Sequence, residues 1–329
     1  MNKIGTMQVY ACGGAGINIS KFFNQFASST KNKGAYCDIN TVFIDTSLAN
    51  RDASLDDSSY YHIEGLDGSG KIRAQNYREI SESVADILLK HQPADINIVI
   101  SSLSGGSGAT ISPALISELL AKGQNVIVAG IGSTDSRIEI ENTVKTLKSF
   151  EAIAKLREKP VALLYYENNE TTKRQDVNTQ VQGDIVSLAA LFSRQHVELD
   201  SADLTNWMSY PKVTTVEPKL VALKFSNGPV QANKAHILTA ATLAYEGMAT
   251  ALGSSVDYQC VGYVTKENES NIALKEPLHF LLIDGIIIDV YHKYAKLLEG
   301  IDEVNRARKR TTAAIVSMND NVQDDGLVL

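Results

Sequence analysis

The chain has 329 residues, enough for two domains, and its 44% hydrophobic content predicts packed cores and excludes a disordered protein. Its 31 Lys and Arg residues against 38 Asp and Glu residues give a formal charge of −7, the wrong sign for nucleic-acid binding through the overall electrostatic field. The three cysteines and six histidines have neither a CxxC pair nor any other metal-ligand spacing. We therefore predict no metal site built from these side chains and a reducing, cytoplasmic environment.

No segment predicts export or insertion into a membrane. The first residues run into glycine before an apolar signal core could form. The strongest apolar stretch, residues 278–290, contains Asp284 and Asp289 and is shorter than the roughly 20 residues that a membrane span requires. We expect no contact with a membrane.

The N-terminal half alternates short apolar runs with helical stretches, which is the pattern of a parallel sheet covered by helices on both faces. Strands are predicted at residues 6–12, 41–45, 96–102, 125–130 and 161–166, each nearly all apolar as doubly buried strands are. Helices are predicted at residues 17–27, 74–91, 109–122 and 139–157. The fold class is therefore α/β, with a doubly wound, Rossmann-like parallel sheet.

A long central helix is predicted over residues 171–197, because apolar residues recur there at three- and four-residue spacing. Strands predicted at residues 219–225 and 258–264, with a helix at residues 236–252 between them, indicate a smaller α+β domain. A strand near residue 278 and a long helix at residues 286–316 follow. The predicted organisation is a nucleotide-binding domain at 1–170, the central helix at 171–198, a second domain at 199–283, a C-terminal helix at 284–317 and an acidic tail at 318–329.

Two glycine-rich turns follow predicted strands and open predicted helices. Gly13-Gly14-Ala15-Gly16 follows the first strand, and Ser104-Gly105-Gly106-Ser107-Gly108 follows the strand at residues 96–102. Open α/β sheets bind ligands beyond the carboxyl ends of their strands, and glycine lets main-chain N–H groups approach phosphate oxygens at a helix N-terminus. One such turn is equally well explained by close packing of strand and helix, but two on one sheet favour a polyphosphate site.

A third glycine cluster, at residues 65–73, contains Gly68, Ser69 and Gly70. It is suited to close over a terminal phosphate and to supply Lys71 or Arg73 as its charge partner. A flexible surface loop is the alternative.

Two common nucleotide motifs are absent from the sequence. Neither main glycine turn has the lysine of a Walker-type loop, which argues against a P-loop ATPase. The third glycine of the dinucleotide fingerprint is replaced by Ile19. A dinucleotide-dependent enzyme therefore remains only as an alternative.

An acidic motif follows the central helix, in the run Glu198-Leu199-Asp200-Ser201-Ala202-Asp203. Carboxylates three residues apart at a helix start project to one side, where they can orient a water molecule that attacks a phosphoryl group. The same pair is equally suited to cap the helix, with Asp200 at the N-cap and Asp203 at the third helical position. Both interpretations stay open on the residues alone.

In order and spacing, the glycine-rich turns at residues 13–16 and 104–108 resemble the phosphate loops of the tubulin/FtsZ superfamily. The family signature GGGTG[ST]G is similar to residues 104–110, but its first and last glycines are Ser104 and Thr110 here, and Ala109 stands at its [ST] position. The resemblance extends along nearly the whole chain and is closest to the bacteriophage tubulins called PhuZ, which share runs around Asp135-Ser136, residues 146–149 and residues 199–207.

The resemblance implies a GTPase that binds GTP and GDP, with Mg²⁺ on the phosphates. It places Asn142 and Asn178 at the guanine and ribose, and it adds Asn18 and Asp135 to the nucleotide contacts. The catalytic residues it implies are Asp200 and Asp203, which enter the nucleotide pocket of the next subunit. FtsZ has asparagine where this chain has Glu198.

The resemblance also implies head-to-tail assembly into dynamic filaments in the cytoplasm of an infected bacterium, where they position viral DNA or its compartment. A central helix of about 25 residues would separate the glycine turns from the acidic pair by nearly 40 Å, at 1.5 Å per residue. The acidic tail, with Asp320, Asp324 and Asp325, would contact a basic surface of the neighbouring subunit, unless it is simply a solvated end. A filament protein that binds nucleotide without hydrolysing it is the other alternative.

Overall fold

The computed structural model describes residues 3–29, 34–51, 53, 55–228, 236–253 and 256–319, with side chains described as far as residue 308. The strands are β1 (Thr6–Cys12), β2 (Asp38–Asp45), β3 (Tyr60–His62), β4 (Ile96–Ser102), β5 (Val126–Ser133), β6 (Val161–Asn168), β7 (Leu220–Asn227), β8 (Ile237–Ala244), β9 (Val256–Tyr263) and β10 (Leu278–Ile283). The α-helices are α1 (Gly13–Ser28), α2 (Tyr77–Lys90), α3 (Ser107–Ala121), α4 (Arg137–Arg157), α5 (Arg174–Leu191), α6 (Ser201–Met208) and α7 (Ile286–Asn319).

The strands form one sheet in the order β3-β2-β1-β4-β5-β6-β7-β10-β8-β9. Strand β1 pairs in parallel with both β2 and β4, so the chain winds outward in one direction and then in the other from this point. Such a switch in winding direction opens a crevice at the carboxyl ends of the strands. The predicted doubly wound α/β architecture is confirmed, and the crevice lies where the two main glycine turns occur.

The strands of the C-terminal half continue the same sheet. Strand β7 joins β6 in parallel through only three residue pairs, from Val161–Leu220 to Leu163–Ala222. Beyond β7, the β7–β10 and β10–β8 pairs are antiparallel and β8–β9 is parallel. The chain falls into two compact units, residues 1–287 and 288–329. The finer domain boundaries remain a prediction.

The prediction of a helix at residues 236–252 is wrong, because strand β8 (Ile237–Ala244) lies within this range. The sequence ILTAATLA is rich in alanine and leucine, which favour helices. Every residue of β8 is buried, and the strand is paired on both sides by β10 and β9. Burial between two partners outweighs local helix propensity, which is a weak determinant in such a position.

The central helix is shorter than predicted. Helix α5 has 18 residues, which corresponds to about 27 Å rather than nearly 40 Å. It ends at Leu191, and the following segment includes Arg194 and Glu198 in the left-handed region, with φ of 60° and 64°. Two such residues are incompatible with a continuing right-handed helix.

Helix α5 nevertheless connects the two halves of the sheet through the core. Its buried residues Val181, Ile185 and Leu188 belong to the same apolar cluster as Ile98 of β4 and Phe280 of β10. Because closely packed interiors hold their elements in fixed positions, this helix is held in place by the apolar core that both halves of the sheet share. Among the described residues, no helix is both long and apolar enough to cross a lipid bilayer.

Candidate functional site

A cavity of about 250 Å³ lies at the carboxyl ends of β1, β2 and β4. All three glycine clusters predicted from the sequence meet there. Its lining residues are Cys12, Gly13, Gly14, Ala15, Asp45, Ser47, Asn50, Gly68, Ser69, Gly70, Ser102, Gly105, Gly106, Ser107 and Gly108. A larger groove of about 850 Å³ lies between α2, α3 and α4, but none of its lining residues is glycine. We take the smaller cavity as the candidate site because main-chain N–H groups converge on it.

Two helices begin at this cavity with their N-terminal N–H groups unoccupied by side chains. The N-cap residue of α1 is Cys12 and that of α3 is Gly106, and among the described residues no side chain caps either helix. The first N–H groups of a helix have no partner inside it, and the helix dipole adds partial positive charge at this end. The cavity is therefore electrostatically suited to an anion such as phosphate.

Glycine occurs at the positions of these turns for different physical reasons. A methyl group on Gly16 would lie 2.4 Å from the main-chain oxygen of Ile100, so this glycine serves the packing of α1 on β4. Gly13 has a φ of +69°, and a methyl group there would lie 2.8 Å from the main-chain nitrogen of Gly108, so the backbone requires this glycine too. A methyl group on Gly105, by contrast, would lie no closer than 3.7 Å to its nearest neighbour, Oγ of Ser102, which is an ordinary van der Waals contact. The packing explanation holds for Gly13 and Gly16 and fails for Gly105.

The hydroxyl of Ser107, the first residue of α3, connects its own glycine turn to the 65–73 segment and to the end of β2. Its Oγ lies 2.6 Å from Oγ1 of Thr46, which follows β2, and 3.1 Å from Oγ of Ser69. The amide of Gly68 donates to the main-chain oxygen of Thr46 at 3.0 Å, and Nδ2 of Asn76 donates to that of Gly68 at 2.8 Å. The 65–73 segment is therefore tied to the cavity wall.

The two basic residues of the 65–73 segment have other partners. Lys71 Nζ lies 3.0 Å from Oε1 of the buried Glu139. Arg73 donates to the main-chain oxygen of Ala109 and to Oγ of Ser149 on α4, and it lines the groove between α2, α3 and α4. Arg73 therefore does not line the cavity, because its guanidinium binds a carbonyl of α3 and a hydroxyl of α4; a phosphate contact from Lys71 or Arg73 stays a prediction.

Asn142 lies behind the cavity rather than in its wall. Its side chain is buried, and its Nδ2 donates to the main-chain oxygens of Lys71, Ser104 and Gly105 at 2.9, 3.2 and 3.4 Å. The amide thus connects α4 to the 65–73 segment and to the β4–α3 turn. Contact of Asn142 with guanine or ribose stays a prediction.

Five other predicted contact residues also lie outside the cavity wall, and two of them, Gly16 and Ser104, belong to the glycine turns. Asn178 is half-buried on α5, Asn18 is exposed on α1, and Asp135 is exposed after β5 with Arg174 at 3.9 Å. Their roles in nucleotide binding remain predictions.

Asp45, Ser47 and Asn50 are lining residues that the sequence analysis missed. Asp45 is buried at the end of β2 and accepts hydrogen bonds from Nδ2 of Asn50 and the amide of Thr46, both at 2.8 Å. Burial raises the pKa of this carboxyl above its usual value, although these hydrogen bonds oppose the effect. The sequence signal that could have identified Asp45 as a site residue was its position at the carboxyl end of a predicted strand.

The acidic motif forms a capping box at the start of α6. Oδ1 of Asp200 accepts from the amides of Ala202 and Asp203 at 2.7 and 2.9 Å, and Oδ2 of Asp203 accepts from the amide of Asp200 at 3.0 Å. These N–H groups lower the pKa of Asp200, so it stays ionised in mild acid. The capping interpretation is confirmed, and it leaves Asp200 exposed.

The cavity and the acidic motif lie at opposite edges of the sheet. Cys12, at the carboxyl end of β1, lines the cavity, whereas Gly5, just before β1, donates to the main-chain oxygen of Ser193 in the segment that leads to Asp200. Strand β1 alone spans about 23 Å at 3.3 Å per residue. Asp200 therefore cannot reach the cavity of its own chain.

No protein-family model matches the chain. The "Phage tubulin-like protein" of Pseudomonas phage PhiPA3 is 30% identical over 332 residues, covering 100% of each chain. Among solved structures, "Protofilament of TubZ from Bacteriophage PhiKZ" superposes with a TM-score of 0.79 at 30% identity over 93% of each chain. "Structure of the phage tubulin PhuZ(SeMet)-GDP" has a TM-score of 0.77 at 19% identity, covering 99% of this chain and 100% of the other, and supports the fold.

Proposed function

Because this chain belongs to the family of phage tubulin-like proteins, we propose that it binds GTP in the glycine-lined cavity, assembles head-to-tail into filaments and hydrolyses GTP where two copies meet. Its tubulin/FtsZ-like fold, expected from the glycine turns, is confirmed. One observation carries the proposal: two uncapped helix N-termini and an exposed acidic N-cap lie at opposite edges of one sheet. One edge supplies N–H groups that can bind phosphate, and the other supplies the exposed Asp200 carboxylate that can orient a water molecule.

The phosphates of GTP would lie against the N-termini of α1 and α3, within hydrogen-bond reach of the hydroxyls of Ser69 and Ser107. In the described part of the chain, no cluster of three His, Cys, Asp or Glu side chains is arranged to hold a metal ion. Mg²⁺ usually binds through substrate phosphates, water and few protein oxygens, and the single carboxylate of Asp45 fits that pattern. The ion would then arrive with the nucleotide and neutralise phosphate charge beside Asp45.

For the guanine, we propose Asn178 as the residue that contacts the base, because an asparagine amide both donates to and accepts from a purine edge. Asn142 supports this site by holding two of its segments together. Asn18 and Asp135 are proposed at its margin.

Head-to-tail stacking would bring Asp200 of one copy to the cavity of the next. Such an interface uses two different surfaces, so it stays open at both ends and generates a filament. The ionised Asp200 would orient a water whose oxygen bonds to the γ-phosphorus as the bond to the bridging oxygen breaks, which yields GDP and phosphate and releases the proton of the water to solvent. Asp203 maintains the capping box. Hydrolysis would weaken the contact and make the filament dynamic.

We further propose that the acidic tail docks in the groove between α2, α3 and α4 of a neighbouring copy. The tail residues Asp320, Asp324 and Asp325 lie outside the described residues. The groove has Arg73 and Arg157 in its walls, and it exposes 72% of Leu156. Two arginines beside an apolar floor complement a segment in which two aspartates precede GLVL.

In the host cytoplasm, the filaments would position phage DNA or its compartment, without contacting nucleic acid directly.

Sedimentation with paired phosphate measurement tests the proposal. Purified protein should pellet with GTP but not with ATP or GDP, and the pelleting samples should release phosphate. Pelleting to the same extent with GTP, ATP and GDP would contradict the assembly proposal. Because Asp200 caps α6, a filament protein without hydrolysis is the second candidate, and GTP-dependent pelleting without phosphate release would identify it.

A further inference from the structure

Both carboxylate oxygens of Asp203 are occupied within its own chain. Oδ2 accepts from the amide of Asp200 at 3.0 Å, and Oδ1 accepts from the hydroxyl of Tyr258 at 3.0 Å. Oδ1 of Asp200 is likewise taken by two amides of α6. In the proposed interface, the exposed Asp200 is therefore the residue that meets the neighbouring nucleotide, and Asp203 is held behind it.

Tyr258 comes from a different part of the fold. It lies on β9, the edge strand of the sheet, and α6 contacts both β8 and β9. Its side chain is half-buried, and burial together with the hydrogen bond to Asp203 raises its pKa to about 12. The hydroxyl therefore keeps its proton near neutral pH and donates to Asp203.

We infer that Tyr258 is a positioning residue for GTP hydrolysis. It acts through Asp203 on Asp200, the residue of the acidic motif that meets the nucleotide of the neighbouring subunit. The inference rests on the proposed function. Without the hydroxyl, Oδ1 of Asp203 loses its donor, the carboxylate rotates more freely, and its bond to the Asp200 amide is made less often. The Asp200 carboxylate then spends less time in the orientation that holds the attacking water, and a displacement of about 1 Å is enough to slow such chemistry.

The fold of α6 does not depend on this hydrogen bond. Trp207 is fully buried, and its Nε1 donates to the main-chain oxygen of Phe280 at 3.1 Å. Oγ1 of Thr239 on β8 donates to the main-chain oxygen of Trp207 at 2.8 Å. These bonds fasten the helix to the sheet, so loss of the Tyr258 hydroxyl should alter the orientation of the acidic loop rather than the folding of α6.

The test is Tyr258→Phe, which keeps the ring and removes only the hydroxyl. Tyr61→Phe is a matched control, because the Tyr61 hydroxyl donates to Asp86 at 2.6 Å on the opposite side of the fold. We expect Tyr258→Phe to lower the hydrolysis rate per pelleted subunit about tenfold, the lower end of the loss seen when a hydrogen bond that orients a metal ligand is removed. The critical concentration for GTP-dependent pelleting should stay unchanged, and Tyr61→Phe should match the wild type in both measurements.

A double-mutant cycle with Asp203→Asn separates positioning from general destabilisation. If Tyr258 acts through Asp203, Tyr258→Phe should have no further effect on hydrolysis once Asp203 is replaced. Additive effects, a wild-type hydrolysis rate in Tyr258→Phe or a failure of that variant to fold would each overturn the inference. Wild-type protein that pellets with GTP but releases no phosphate would instead overturn the proposed hydrolysis, and the inference with it.

Discussion

The side-chain amide of Asn142 donates to the main-chain oxygen of Lys71 at 2.9 Å and to that of Ser104 at 3.2 Å. One buried side chain on α4 thus holds together two segments of the candidate nucleotide site. Neither carbonyl belongs to a strand or helix, so the amide supplies a partner that regular structure does not.

Replacing Asn142 with alanine should therefore affect both stability and binding. Leaving the buried carbonyl of Ser104 and the partly buried carbonyl of Lys71 without this donor costs about 1–3 kcal/mol, measured as a lower free energy of unfolding in urea. GTP affinity should also fall, because the 65–73 segment loses its connection to α4. The comparison variant is Asn178→Ala, which should keep the wild-type stability and lose preference for GTP over ATP. Equal unfolding free energies for the two variants would contradict this assignment.

Two glycines of the site should respond differently to alanine. Gly16→Ala places a methyl group 2.4 Å from the oxygen of Ile100, so we expect a loss of about 1–3 kcal/mol or failure to fold. Gly105→Ala meets nothing closer than 3.7 Å, so it should melt like the wild type. Its methyl group occupies space proposed for phosphate and should weaken GTP binding about tenfold, a loss of roughly 1.4 kcal/mol. Unchanged GTP affinity in folded Gly105→Ala would argue against phosphate binding at this turn.

Substitutions at Asp200 separate capping from catalysis. Asn serves as an N-cap about as well as Asp, whereas alanine costs about 1 kcal/mol. Asp200→Asn should keep the melting temperature and GTP-dependent pelleting but reduce phosphate release by about 100-fold or more. Asp200→Ala should lose the same activity and also melt at a lower temperature. Full hydrolysis by Asp200→Asn would leave this residue with a capping role alone.

The buried Asp45 carboxyl predicts an unusual dependence on pH. Because burial raises its pKa in the folded state, the folded protein holds this proton more tightly than the unfolded chain does. Its contribution to stability is present at low pH and is lost as the pH rises through the raised pKa. Nucleotide-free Asp45→Asn should therefore melt above the wild type at pH 7, and the difference should shrink towards pH 4.

Asp86→Asn is the control of opposite sign for this experiment. Hydrogen bonds from Lys90 and Tyr61 lower the pKa of Asp86, so its contribution is present above its usual pKa and is lost as the pH falls. Asp86→Asn should melt slightly below the wild type at pH 7. A melting temperature for Asp45→Asn at or below that of the wild type at pH 7 would mean that Asp45 is stabilised as an ion.

The groove between α2, α3 and α4 can be tested with two equally exposed leucines. Leu156 is 72% exposed in the groove, whereas Leu89 is 71% exposed on α2 outside it. Leu156→Ser should raise the critical concentration for pelleting several-fold, as should removal of residues 320–329, and combining both changes should add little. Leu89→Ser should leave assembly unchanged. Equal effects of the two serine variants would contradict tail docking in the groove.

Local signals were enough to predict the glycine turns, the start of α6 and the parallel half of the sheet. Cys12 and Ser102 end doubly buried strands, and the glycines after them must accommodate a helix start, so sequence neighbours carry this information. The capping box at Asp200 is equally local, because all its hydrogen bonds fall within four residues.

Other features depended on residues distant in sequence, and the sequence alone could not reveal them. Strand β8 is a strand because β9 and β10 pair with both of its edges, although its composition favours a helix. Arg73 turns towards Ser149, and Tyr258 reaches Asp203, through contacts 76 and 55 residues apart in the chain.

The sequence by itself therefore determined the chemistry at each end of the molecule: glycine and helix N-termini at one edge of the sheet, and an acidic N-cap at the other. Only the tertiary structure decided which atoms remain free to act. Hydrogen-bond partners from distant segments occupy Asn142, Arg73 and Asp203 and leave Asp200 exposed. The reason is physical: propensity and capping act between neighbours along the chain, whereas burial and polar pairing are settled when the whole sheet assembles.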